Sequence, residues 1–453
     1  MTKDNLKRIG ANFLDILNNL KRDTETAARE LNINESLLKK MLSGETNINE
    51  EIIKRASRIW PVNKRDFFVI EDDAPDGVLV MKHEESKNST RILQRGGVDY
   101  YEYRDTAMSR VSMFRPEWIK ELVIVDDKNP HNPNLAWNNG HFFHQFTYFI
   151  GPVNFYWDLG NNKRFCAEMS TGDSMHISPF VPHTFATRKN NKKEKGIILA
   201  VTYGGMLAGD AQNEISVLGS TLSNEFLIDY SSLNHATSSL IKEFREQLSL
   251  PQQSLALISG INLKRIINLE NNQSLPTNNE LIKLAKNLRV SIRDLIPKDV
   301  NNKQVVVLPY KGTRSWNDSE NCSPYVFVEL AHTTDMPYTK GLELTIHKSN
   351  VGQKLKVTSH QYIYNVGKTP VTLTWKNNKK EKSIDLQPDD SAYMKPSIEH
   401  EFKAKEQEAK LLIVRTGGHL VGDAQHELSL LDKRGLDRIA IETQQWYNPE
   451  GKR

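Results

Sequence analysis

The sequence predicts an α+β protein in which a helical unit followed by a small antiparallel β-barrel occurs twice. The first observation is an internal repeat: residues 204–216 read GGMLAGDAQNEIS and residues 417–429 read GGHLVGDAQHELS. Upstream, HQFTYFIG at 144–151 is matched by HQYIYNVG at 360–367, in the same order. Agreement of separate blocks in one order is the sequence signature of a duplicated architecture.

The β units are predicted from short aromatic and β-branched segments with turn residues between them. These segments are VNFYWDL, RFCAEM, GIILAVTYG, VTLTW and KLLIVRTG. Many short strands at this spacing are typical of a small antiparallel barrel or a jelly roll.

Helical periodicity precedes each β unit, over roughly residues 5–70 and 237–297. Both stretches place apolar residues at i, i+3 and i+4. In the second, two short helices joined by a turn at Gly260 form a helix-turn-helix pattern. The predicted order is a helix-turn-helix unit at 1–75, a barrel at 76–235, a second helix-turn-helix unit at 236–300 and a second barrel at 301–453.

Length and composition exclude several classes of protein. The 453 residues carry 60 Lys and Arg against 56 Asp and Glu, which is too even a balance for a surface built throughout to bind nucleic acid. No apolar stretch is long enough to span a membrane, and charges interrupt the N-terminus too often for a secretory signal. The two cysteines, Cys166 and Cys322, exclude a disulfide scaffold and a multi-cysteine metal site. A cytoplasmic protein is therefore expected.

The second helical unit resembles the small repressor-type DNA-binding domain through its LxxxxGIxxxxIxxxExxxxxP pattern. A reading helix needs polar or basic side chains at its start, and Asn262, Lys264 and Arg265 would serve. In the first unit Glu35 stands at that place and would repel phosphate. We therefore interpret both units as structural or dimer-forming modules, and nucleic acid is not expected as a partner.

The segments WNNGHFFHQFTYFIGPV and GDSMHISPFVPHTF resemble the cupin metal-binding pattern. In that pattern one strand supplies a His and, four residues on, a carboxylate, and a later strand supplies a last His after a Pro. The resemblance implies His141, Gln145 and His183 as ligands. Residues an even number apart face one side of a strand, so His144 is expected to face away from the other two. His176 is interpreted as an ordinary core or surface histidine.

Two neutral imidazoles and one oxygen ligand leave open positions at a non-haem Fe(II). Gln145 stands where most members of the pattern have Glu, and an uncharged ligand leaves one more positive charge for an anionic substrate. The alternative, that Gln145 is a polar core residue of a lost metal site, stays open. The second copy has Val357 at the first ligand position and keeps Gln361 and His400, so we expect a degenerate second barrel.

The whole arrangement resembles the 2-hydroxyethylphosphonate dioxygenase and methylphosphonate synthase family. The resemblance implies a set of phosphonate-binding residues: Arg95, Tyr103 eight residues on, Asn138 three residues before His141, and Lys21 in the first helical unit. These types suit the chemistry. Arg makes forked hydrogen bonds to oxyanions, Lys acts as a point charge, and Tyr and Asn add neutral donors.

The position six residues before His183 decides the branch of the family. The dioxygenase branch has a Glu ligand there, whereas this chain has Ile177, which cannot coordinate. The set of two His and one Gln resembles the methylphosphonate synthase branch. The implied reaction converts 2-hydroxyethylphosphonate and O₂ into methylphosphonate and bicarbonate or CO₂, without 2-oxoglutarate. A homo-oligomer in which Lys21 reaches a neighbouring subunit is also expected.

Three other functions stay open from the sequence. The first is the dioxygenase reaction, which gives hydroxymethylphosphonate and formate. The second is a helix-turn-helix and cupin transcription regulator that senses a small molecule and binds a duplex in a salt-sensitive way. The third is a cupin sugar-phosphate isomerase, which would need a metal but no O₂.

Overall fold

A computed structural model describes residues 3–112, 114–190, 194–298, 304–318, 323–349, 352–377, 380–441 and 444–445. Helices and mostly antiparallel strands form two helical segments and two β units in this part of the chain. None of the described helices has the length and apolarity needed to cross a membrane. Cys166 is a free thiol, and Cys322 lies outside the described residues.

The helices of the described residues are α1 (Lys3–Asn19), α2 (Thr24–Leu31), α3 (Glu35–Leu42), α4 (Glu50–Ile59), α5 (His83–Asn88), α6 (Asp210–Leu218), α7 (Ser220–Ser223), α8 (Leu233–Gln247), α9 (Gln252–Ser259), α10 (Leu263–Glu270), α11 (Asn278–Leu288), α12 (Asp423–Ser429) and α13 (Lys433–Ala440). Of these, α1–α4 and α8–α11 form the two segments that the periodicity predicts, and the five further helices lie outside those segments. Short polar side chains cap the starts of several of the helices, as where Asp23 accepts from Thr26 N. Between α9 and α10 the chain turns at Gly260, whose φ of 63° favours glycine.

The strands include the five aromatic and β-branched segments that the sequence predicts. The described strands are β1 (Val78–Met81), β2 (Arg91–Arg95), β3 (Val98–Asp105), β4 (Phe114–Glu121), β5 (Ile124–Val125), β6 (His144–Ile150), β7 (Val153–Asp158), β8 (Arg164–Met169), β9 (Ser174–Ile177), β10 (His183–Arg188), β11 (Ile197–Tyr203), β12 (Val305–Leu308), β13 (Ser315–Asn317), β14 (Tyr325–Glu329), β15 (Thr339–His347), β16 (His360–Asn365), β17 (Val371–Asn377), β18 (Lys380–Leu386), β19 (Ser391–Met394), β20 (Glu399–Ala404) and β21 (Glu408–Thr416).

Each β unit is a large sheet facing a small one. The first has the order β12-β9-β6-β11-β4-β3-β2 against β5-β10-β7-β8, and the second has β1-β19-β16-β21-β15-β14-β13 against β18-β17-β20. These are four open sheets, so the predicted closed barrel is not what the structure has. The facing sheets of the first unit are joined by packing, as between Phe149 and Phe185 (ring centroids 6.1 Å), and not by a continuous hydrogen-bond ladder.

The two β units exchange their first strands. β1 pairs with β19 of the second unit, and β12 pairs with β9 of the first. Residues of both units also share one buried cluster, which includes Phe146, Tyr362 and Leu412. The two units are therefore held together by both backbone hydrogen bonds and a common apolar core.

Candidate active site

The turn before β6, together with β6 and β10, brings three polar side chains together inside the first β unit. His141 Nε2 lies 2.9 Å from Gln145 Oε1, and the rings of His141 and His183 are 5.3 Å apart at 85°. Strand β6 begins at His144, so the prediction that His141 and Gln145 share one strand is wrong. A tight turn replaces it: Gly140 has φ 74°, and a Cβ there would lie 2.4 Å from the Phe180 backbone.

The hydrogen bonds of these side chains determine which lone pairs face inward. His141 Nδ1 lies 2.7 Å from Phe143 O, and His183 Nδ1 lies 2.8 Å from Val181 O. Since a carbonyl only accepts, each Nδ1 carries the hydrogen and each Nε2 presents a lone pair. Gln145 Nε2 donates to Thr147 Oγ1 (2.8 Å), which turns the amide oxygen of Gln145 towards His141.

This donor set fits a divalent metal ion. The two Nε2 atoms and the Gln145 amide oxygen face the shared space, and nitrogen and oxygen atoms of this kind are metal ligands. Burial lowers the pKa of His183 to about 3, and the nearby His141 ring and Arg95 charge add to this effect. The ring therefore stays neutral at physiological pH, as a metal ligand must. Among the described residues no group of three or more His, Cys, Asp or Glu could hold a metal.

Asn138 clamps His183. Its Oδ1 accepts from His183 N (2.8 Å) and from Gly140 N (3.0 Å), and its Nδ2 lies 3.0 Å from His183 Nε2. The amide oxygen thus fixes the backbone of one candidate ligand. The amide also presents an N–H donor beside the lone pair of His183 Nε2.

Arg95 lies at the end of β2 and is tied to the segment that carries Asn138. Its Nη1 donates to Ala136 O (3.0 Å), and its guanidinium lies 4.8 Å from the centroid of the Tyr101 ring. The Tyr101 ring in turn makes an edge contact with Tyr103 (5.9 Å). The structure therefore brings Arg95, Tyr103 and Asn138 to the same interior as the three candidate ligands.

Two carboxyl groups on β4 belong to this interior and were not predicted. Glu121 is fully buried, neither of its oxygens has a hydrogen-bond partner in the described structure, and burial raises its pKa well above the usual range. Burial also raises the pKa of Glu117, although Arg91 opposes the effect. The segment FRPEWIKE could have indicated them, because its alternation places Glu117 and Glu121 on the same face of the strand as buried Ile119.

The remaining predicted residues lie in different places. Ile177 is buried and pairs with Gln145 across β9 and β6, so it presents an apolar wall to the site. His144 stacks on Tyr203 (5.8 Å) on the other face of the sheet, and His176 is a core histidine, 1% exposed. Lys21 is exposed in the turn after α1, where its Nζ donates to Asn18 O (3.1 Å).

The second β unit repeats the framework without the ligand set. Phe180 N donates to His141 O (2.8 Å), and Ser397 N donates to Val357 O (2.7 Å) in the corresponding turn. Val357 therefore stands at the position of His141 and has no donor atom in its side chain. Gln361 Oε1 accepts from Arg415 Nε (3.1 Å), so its oxygen is already engaged.

Known proteins are similar to nearly the whole chain, and a family model matches one part of it. A helix-turn-helix family model matches residues 241–295. Methylphosphonate synthase of Nitrosopumilus maritimus (strain SCM1) is 42% identical over 447 residues, which cover 98% of this chain and 97% of that protein. The solved structure of Streptomyces albus HEPD, with the substrate 2-hydroxyethylphosphonate and Fe(II) bound, is similar at a TM-score of 0.91 and 34% identity, covering 98% of this chain and 99% of that one.

Proposed function

The chain belongs to the methylphosphonate synthase family, and on that premise we propose that it is an Fe(II)- and O₂-dependent oxygenase acting on 2-hydroxyethylphosphonate. The reaction breaks the C–C bond and gives methylphosphonate and bicarbonate or CO₂. The substrate supplies all four electrons that reduce O₂, so the reaction needs no 2-oxoglutarate. The substrates are small, freely diffusing molecules, and we propose that the enzyme is cytoplasmic.

His141, Gln145 and His183 are the proposed ligands of the iron. The observation that carries the proposal is the pair of facing acceptors, His141 Nε2 and Gln145 Oε1, at 2.9 Å. Fe(II), when bound, supplies open positions for substrate and O₂ and the electron transfer between them. Thr147 Oγ1 accepts a 2.8 Å hydrogen bond from the Gln145 amide nitrogen, and this contact holds the Gln145 oxygen in the ligating orientation.

Arg95, Tyr103 and Asn138 are the proposed phosphonate-binding residues of the same chain. A guanidinium binds such an anion with parallel N–H donors, and the hydroxyl and amide add neutral donors. Gln145 adds no negative charge, so the positive charge of the site is not reduced and can attract the phosphonate. Burial raises the pKa of Glu121 well above its usual range, which favours the neutral carboxyl and so preserves the positive charge of Arg95.

Lys21 is the fourth proposed phosphonate-binding residue. It lies on the surface of the first helical segment, whereas the other three lie inside the first β unit. We propose that a homo-oligomer brings Lys21 of one subunit to the phosphonate of its neighbour. An exposed ammonium on a mobile stem suits this role, since it acts as a point charge.

The apolar wall at Ile177 favours methylphosphonate over hydroxymethylphosphonate as the product. A carboxylate at this place would add a charged ligand and reduce the positive charge of the metal site. The dioxygenase reaction remains the alternative within the same chemistry, because the fate of a shared intermediate depends on few contacts.

A transcription regulator is the second candidate, since a helix-turn-helix family model matches 241–295. The hydrogen bonds of Arg265 argue against base reading. Its guanidinium donates to Glu280 (2.8 and 2.9 Å) and to Leu275 O (2.8 Å), so the donors are used within the helical segment. We therefore propose a scaffold role for the helical segments.

The matching topology of the two β units supports a tandem duplication of cupin-type jelly rolls. The large sheets have equivalent strand orders, and Gln145 pairs with Thr202 as Gln361 pairs with Arg415. We propose the boundaries 1–75, 76–235, 236–300 and 301–453 for the four units, with one strand exchanged from each β unit.

The test is a single turnover assay. Full-length protein is loaded with Fe(II) without air, 2-hydroxyethylphosphonate is added, O₂ is admitted and the phosphorus NMR spectrum is recorded. A methylphosphonate signal that needs both Fe(II) and O₂ is expected. A hydroxymethylphosphonate signal would overturn the branch, and unchanged substrate with iron bound would favour the regulator.

A further inference from the structure

The interior of the second β unit contains a polar cluster that the proposed reaction does not use. Arg415, Gln361 and His400 lie on β21, β16 and β20. Gln361 pairs with Arg415 in the register that joins Gln145 to Thr202 in the first unit. A guanidinium has therefore replaced a hydroxyl at the place that faces the candidate metal site in the first unit.

His400 keeps the ring orientation of His183. It pairs with Trp375 as His183 pairs with Trp157, and its Nδ1 lies 2.9 Å from the Ile398 carbonyl two residues upstream. The hydrogen is thus on Nδ1, and Nε2 presents a lone pair to the interior. The residue is 1% exposed, and this Nε2 has no hydrogen-bond partner in the described structure.

Arg415 brings a charge into apolar surroundings. Its Nε donates to Gln361 Oε1 (3.1 Å), and its guanidinium lies 5.9 Å from the centroid of the Phe327 ring. Burial alone lowers its pKa from the usual value, and no described carboxylate pairs with it. Arg415 is half-buried, and a cation that has lost part of its hydration and has no counter-ion would be stabilised by an anion beside it.

The corresponding carboxyl groups of the first unit are missing here. Leu342 and Ile346 hold the cross-strand positions that Glu117 and Glu121 hold in the first unit. The second interior is therefore cationic at neutral pH, with one guanidinium, one amide and one imidazole lone pair.

We propose that the second β unit binds a small oxyanion that also carries a hydroxyl group. The forked N–H donors of Arg415 hold two oxygens of the anion, and its hydroxyl donates to His400 Nε2. Bicarbonate and hydrogen phosphate share this chemistry, since each combines acceptor oxygens with one O–H. Formate matches bicarbonate in charge and planarity but has no hydroxyl.

The test is calorimetric titration of the metal-free full-length protein with bicarbonate, inorganic phosphate and formate in turn. The Arg95→Met variant removes anion binding at the first site, so it is the background for all titrations. We expect bicarbonate or phosphate to bind one per chain, with the tighter of the two identifying the anion. Formate should bind at least about 10-fold more weakly, because one hydrogen bond worth about 1.4 kcal/mol is lost.

Variants of the second unit decide the assignment. Arg415→Met should abolish this binding, and Arg415→Lys, which keeps the positive charge, should weaken it about 10-fold through loss of the forked N–H donors. His400→Phe should make bicarbonate and formate equal. Arg293→Met, at an exposed arginine, is the matched control. Unchanged binding in Arg415→Lys, or equal binding of formate and bicarbonate to the Arg95→Met protein, would overturn the proposal.

Discussion

The ring nitrogen Nε2 of His141 and the amide oxygen of Gln145 face each other at 2.9 Å, although both are acceptors. Their other atoms are satisfied elsewhere, at Phe143 O and Thr147 Oγ1. Two opposed lone pairs are favourable only with a cation or a proton between them. This relationship is the main physical reason for placing a metal ion in the first β unit.

Replacing Gln145 with Ala should abolish turnover and weaken Fe(II) binding more than about 100-fold, beyond the 10- to 100-fold typical of a residue that only orients a ligand. The cause is the loss of one of three donor atoms. Metal affinity by anaerobic titration and product by phosphorus NMR check this. Gln407→Ala, at an exposed glutamine, is the control. Full activity of Gln145→Ala would refute the ligand assignment.

Replacing Asn138 with Ala should lower Fe(II) affinity and kcat/KM by about 10- to 100-fold. The Asn138 oxygen accepts from His183 N and its Nδ2 lies beside His183 Nε2, so its removal loosens the backbone that carries the ring and deletes a phosphonate donor. Asn138→Asp keeps the oxygen that accepts from His183 N but loses the N–H donor. Compared with Asn138→Ala, it should restore metal affinity more than it restores KM. Equal recovery of the two quantities would argue that Asn138 does not touch substrate.

Replacing Ile177 with Glu should shift the product towards hydroxymethylphosphonate. The new carboxylate would lie beside Gln145 and add a charged ligand at the iron. Without metal, the variant should be less stable than the parent, since Ile177 is fully buried and an unpaired buried charge is costly. Product ratio and thermal unfolding with and without Fe(II) measure these effects. Ile177→Val is the control, and unchanged products from a folded, iron-loaded Ile177→Glu protein would count against the branch assignment.

The stability of the metal-free protein should fall as pH falls below the unfolded histidine value of 6.5. Burial lowers the pKa of His176 to about 3, so the unfolded chain binds more protons, and the stabilisation is complete only above 6.5. His176→Phe should reduce the loss between pH 8 and pH 5 by about 2 kcal/mol. Denaturant unfolding at several pH values measures it, with exposed His131→Phe as control. Parallel curves for parent and His176→Phe would refute the assignment.

The helical segments should show no sequence-specific duplex binding at physiological salt. Arg265 is held by Glu280 and Ser274, and Glu35 stands at the start of α3. Fluorescence anisotropy with a selected pool of labelled duplexes tests this, and Lys264→Glu should behave like the parent. Selection of one duplex whose binding falls steeply with salt would favour the regulator.

The residues of the candidate site could be proposed from the sequence because they fall in a few short motifs. The His141, Gln145 and His183 spacing and the Arg95 and Tyr103 pair are readable in short segments, and the family that they indicated is confirmed by the comparisons. The prediction of a strand through His141 was wrong, because the chain turns at Gly140, where it packs closely against the Phe180 backbone. Glu121 was missed, since an alternating strand does not reveal which face is enclosed.

The sequence by itself determined the two helical segments, the two sets of strands and the family, because hydrophobic period and residue spacing are local properties of the chain. Only the tertiary structure decided the exchange of β1 and β12 between the units, since strand pairing depends on which edges meet in space. It also decided which lone pairs face each other, and that Arg415 occupies the second interior. These contacts join residues far apart in the chain, and burial sets their energy.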